Sequence, residues 1–105
     1  MPVNSKQIKF KVVQIAEHYG YENQSLKLLE ELAELQQAVI RYNLSLEKNE
    51  SLSTTLALSE NVYEEMADVE IMIDQIKYLL CAETEVDKFK VKKLNRQLKR
   101  MEEAE

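Results

Sequence analysis

A chain of 105 residues, 45% of them hydrophobic, is one small domain's worth of sequence with its own core, so residues 1–105 are read as a single domain. A net charge of −5 argues against nucleic-acid polymers and anionic membrane surfaces as partners, while a small polyanion stays compatible through a bridging metal. Cys81 is the only cysteine, no apolar run of signal-peptide length follows Lys6, Lys9 and Lys11, and no window reaches membrane-span length, so the expected location is a reducing cytoplasm.

With one glycine and one proline, nearly the whole chain is expected to be helix, in four segments. The first runs from about Ser5 to His18 with Ile8, Val12 and Ile15 on one side, and ends at Gly20, where a left-handed cap costs least. The second begins near Asn23 or Ser25 and carries Leu28, Leu32, Leu35, Val39 and Tyr42 on one stripe. Residues 43–58, rich in Ser, Thr and Asn, are read as a connection holding at most a short helical turn. The third helix, from about Ser59 to Cys81, has Val62, Met66, Val69, Ile73, Ile76 and Leu80 in four-three alternation. Thr84 and Asp87 resemble a capping box that opens a fourth, basic helix with Val86, Phe89, Val91, Leu94 and Leu98. The expected fold is an all-α, four-helix bundle-like subunit whose two central helices are antiparallel.

Those two helices contain an internal repeat. "LLEELAEL" at 28–35 matches "VYEEMADV" at 62–69 with a constant offset of 34, aligning Glu31 with Glu65 and Glu34 with Asp68 among matching apolar positions. At about 100° per residue, Glu31 or Glu65 lies roughly 60° from the stripe centre and Glu34 or Asp68 about 60° further, on the same shoulder of each helix. Antiparallel pairing brings the shoulders together, and four confined carboxylates repel unless a cation compensates them. Oxygen donors without His or Cys suit a hard ion, Mg²⁺ with Mn²⁺ as a substitute. A single acidic triplet of this kind is ordinarily a solvated helix face; the matched pair is what points to a site. Glu30 and Glu64 point further from the seam, either solvated or supporting the ligands from behind.

The pattern Glu30-Glu31-Leu-Ala-Glu34 followed by Glu65-Met-Ala-Asp68 resembles the signature of the MazG-like, all-α nucleoside triphosphate pyrophosphohydrolases, EExxE then ExxD. The likeness runs from about Ala16 through Ile76, with a looser match in the basic fourth helix. It implies a subunit that forms a dimer or a dimer of dimers and hydrolyses a nucleotide to a monophosphate and pyrophosphate. By position, Glu31, Glu34, Glu65 and Asp68 would hold Mg²⁺, and Glu34 would serve as the base for the attacking water. Lys27, Lys93, Arg96 and Arg100 would steady phosphate oxygens, or else form solvated faces complementing the acidic helices. A phosphoribosyl-ATP pyrophosphatase, which shares those motifs, and a non-catalytic helical dimerisation module are the alternatives.

Other residues are read more plainly. His18, the only histidine, sits at a helix end as a cap or packing group, and neither motif has the Glu-x-x-His of a di-iron bundle. Phe10, Tyr19, Tyr21 and Tyr63 are read as core, with stacking on a nucleobase as the alternative, and Met66 and Met72 as core.

Overall fold

The computed structural model describes residues 4–104, which form three helices and, among these residues, no strand. Helix α1 spans Ser5–Glu47, α2 Leu52–Leu79 and α3 Glu83–Ala104. The all-α expectation holds, but the four-helix bundle does not. The first two expected helices run together as α1 and meet in a kink at Gly20, where the first was expected to end, with φ 81° and ψ 169°. Only glycine enters that region at little cost, and an added Cβ there would meet nothing within 4 Å, so the backbone and not space demands it. Neither Asn23 nor Ser25 caps a new helix; their side chains donate back to the carbonyls of Tyr19 and Glu22.

The connection expected at 43–58 shrinks to residues 48–51. Ser45, within the expected stretch, is compatible with helix because its hydroxyl is satisfied locally, donating to the Tyr42 carbonyl at 2.7 Å. Asn49, at φ 52°, makes the turn, and Ser51 opens α2 by accepting from the Thr54 amide. The Thr84–Asp87 capping box is also corrected. Cys81 at φ 54° reverses the chain, the Ala82 carbonyl accepts the Val86 amide, and Thr84 lies inside the first turn of α3.

The second half of α1 and α2 form an antiparallel hairpin. Buried Gln24, Glu31, Ala38 and Ser45 follow one another at seven-residue intervals on α1, with Leu28, Leu35 and Tyr42 half-buried beside them. On α2 the facing set is Ser59, Val69, Met72 and Gln75, flanked by half-buried Val62, Glu65 and Ile76. Compared with the expected stripes, both helices are turned by about 50° in the same sense. Leu32 and Val39 on α1, and Met66, Ile73 and Leu80 on α2, therefore face outward.

That rotation moves Glu31 and Glu65 from the shoulder into the seam. The first part of α1 packs Val12 and Ala16 inward, and Tyr78 donates its hydroxyl to Glu17. Ile8, Ile15, Phe10, Tyr19, Tyr21, Tyr63 and Met66, expected in the interior, are exposed; of the expected core methionines Met72 is buried. Helix α3 contributes no buried residue. Among the described residues no helix is long and apolar enough to cross a membrane.

A candidate metal centre in the helix hairpin

Glu31 reaches the site from the middle of α1, and Glu65 and Asp68 from one face of α2 a turn apart. One carboxylate oxygen from each lies within 4.8 Å of the others. Glu31 is 7% exposed and Glu65 half-buried, and Glu31 Oε2 and Glu65 Oε2 are both buried without a hydrogen-bond partner. Unpartnered buried carboxylate oxygens are costly, because water is lost and nothing replaces it.

Burial is the main reason that the Glu65 carboxyl is pushed above the ordinary carboxylate range. The charges of Glu34, Asp68 and Glu31 add to it. Glu34 therefore belongs to the same electrostatic group, from an exposed position at its edge. Of the four carboxylates that the repeat singled out, Glu31, Glu65 and Asp68 converge, while Glu34 acts on Glu65 through its charge and is not among the clustered ligands. Three oxygen donors in a cluster with two orphaned atoms fit a hard divalent cation in donor chemistry and in unmet electrostatic demand.

Lys27 stands at the rim. Its Nζ is 3.3 Å from Glu31 Oε1 and 3.4 Å from Glu30 Oε2, and these two partners raise its pKa, Glu31 more than Glu30. It engages one oxygen of Glu31 and leaves the other orphaned. Glu30 is exposed and outside the cluster, joined to it only through Lys27, and Glu64 is exposed on α2. Lys93, Arg96 and Arg100 lie exposed on α3, and among the described residues no ion pair joins them to the four carboxylates. His18 is exposed, its ring edge-on to Tyr19, and is not among the clustered ligands.

A buried amide pair, which no sequence motif announces, lies beside the cluster in the same seam. Gln24 Nε2 donates to Gln75 Oε1 at 2.7 Å, and the Gln75 amide turns toward Met72 Sδ at 3.7 Å. Gln24 precedes Glu31 by seven residues and Gln75 follows Asp68 by seven, so the pair fixes the antiparallel register one heptad from the carboxylates. That spacing was the available signal, hidden because glutamine is ordinary on a solvated helix.

The hairpin thus defines an all-helical chain with a carboxylate cluster built into its seam. No family model, curated protein or solved structure matches the chain.

Proposed function

We propose that the chain is a Mg²⁺-dependent nucleotide pyrophosphohydrolase, converting a nucleoside or deoxynucleoside triphosphate to the monophosphate and pyrophosphate, and that it works as a dimer or tetramer. What carries this reading is the pair of orphaned, buried oxygens, Glu31 Oε2 and Glu65 Oε2, in a cluster completed by Asp68. Glu31, Glu65 and Asp68 would hold the cation, with Mn²⁺ as a substitute, and Glu34 would stand beside them. When bound, the cation would neutralise phosphate charge and polarise the phosphorus under attack.

The chain's own residues have separate tasks. Glu34, exposed to solvent beside the cluster, would take a proton from the attacking water as the water oxygen bonds to the α-phosphorus. The α–β bridging bond then breaks, and pyrophosphate leaves with the bridging oxygen. Lys27, already set against Glu30 and Glu31, would offer its ammonium to phosphate oxygens at the rim. Purified protein with Mg²⁺ and a panel of triphosphates should release pyrophosphate. Glu34→Gln and Asp68→Asn should each lose about 100-fold or more in rate; full activity in both would refute the site.

A further inference from the structure

Helix α3 is amphipathic, yet nothing among the described residues covers its apolar side. At about 100° per residue, Val91, Leu94, Leu98 and Met101 fall within roughly 80° of arc, in the three-and-four spacing of a helix-packing seam. All four are more than half exposed, at 55–64%. Between Lys88 and Met101 the helix carries seven cations and no carboxylate, whereas residues 1–82 carry thirteen carboxylates against seven cations. The outward arcs of α1 and α2 present a second unpartnered apolar surface, Leu32, Val39, Met66 and Ile73. Exposed Glu22, Glu47 and Glu70 border it.

The amount of bare surface says what kind of partner fits. The chain exposes 8636 Å², against about 6,100 Å² expected of a compact monomer of its mass, a surplus of about 2,500 Å². Its radius of gyration is 17.4 Å, where a compact domain of this length has about 13 Å. Surplus of that order is what a chain covers in an obligate dimer.

We infer that α3 is a docking arm for a second copy of this chain. The Val91, Leu94, Leu98 and Met101 seam lies along the other copy's outward apolar arc of α1 and α2. Lys88 and Lys90, which flank the seam, reach the bordering carboxylates, their alkyl stems covering apolar surface on the way. A basic amphipathic helix also suits an anionic lipid surface, but the acidic hairpin attached to this one would be repelled there, whereas it attracts the arm of its own kind. The surface shares no residue with the carboxylate cluster, so the inference stands or falls separately from the reaction.

Sedimentation of the full chain tests it, comparing wild type with Leu94→Glu/Leu98→Glu. Because α3 holds no buried residue, far-UV circular dichroism should report an intact hairpin in the variant. Wild type should be a dimer or larger at about 10 μM and the variant at least about tenfold weaker in association. Hydrogen exchange should slow with concentration at residues 91–101 and also around Leu32–Val39 and Met66–Ile73. A monomeric wild type, or a variant that associates as tightly, would overturn the arm. So would a monomer that is captured by phosphatidylserine vesicles, which would assign the seam to lipid.

Discussion

The α1–α2 hairpin and α3 are amphipathic helices of one chain that treat their side chains in opposite ways. The hairpin draws polar residues into its seam, Gln24, Glu31, Ser45, Ser59 and Gln75, and leaves Leu32, Val39, Met66 and Ile73 outside. Helix α3 buries nothing and keeps its apolar seam whole. A seam that holds glutamines and carboxylates where leucines are at hand on the next arc forgoes hydrophobic stabilisation, which is expected where an element positions chemistry. An intact but bare apolar seam is the mark of an element that packs on something else.

The contrast can be broken first by truncation. Met72→Ala, at a buried hairpin position, should cost about 2–4 kcal/mol in urea unfolding, while Arg96→Ala on α3 should stay within about 0.5 kcal/mol. Equal effects would mean that α3 carries part of the core. Gln75→Ala is the next largest, about 1–3 kcal/mol, because it strands the buried Gln24 amide. Replacing both glutamines by leucine should recover most of that loss, whereas a double variant as unstable as the single one would show that the amide pair does more than satisfy itself.

The smallest effect is a pH dependence. The Glu65 pKa is higher in the folded chain than its ordinary value of 4.5, so the native state holds a proton more tightly than the unfolded state does. Metal-free protein should therefore lose stability as pH rises from 4.5 through the elevated Glu65 titration, then level off. Glu65→Gln should remove that slope; a melting profile with the same slope in both proteins would place its origin elsewhere.

The acidic repeat was legible because two motifs at one offset carried redundant information, and Glu31, Glu65 and Asp68 of its four carboxylates lie together between the two helices. What was not legible was the phase of the hairpin. Both helices have apolar arcs wider than one contact face, so the pattern could not tell whether Leu32 and Met66 or Glu31 and Glu65 faced the neighbouring helix. The helix content of 43–58 was hidden because a Ser that returns its hydroxyl to a carbonyl three residues back, as Ser45 does, resembles a loop residue in sequence. The positive φ of Cys81 had no signal, since cysteine is not a turn-former by type.

The most direct measurement is thermal unfolding of wild type and Glu65→Gln, each with and without Mg²⁺. A cation that binds only the folded hairpin at 100 times its dissociation constant contributes about 2.7 kcal/mol, or roughly 10–20 °C for a chain of this size. Wild type should gain a shift of that order at saturation. Glu65→Gln should melt higher than wild type without metal, because one repelling carboxylate is gone, and should respond little to Mg²⁺. A wild-type melting temperature indifferent to millimolar Mg²⁺ and Mn²⁺ would contradict a metal centre in the seam.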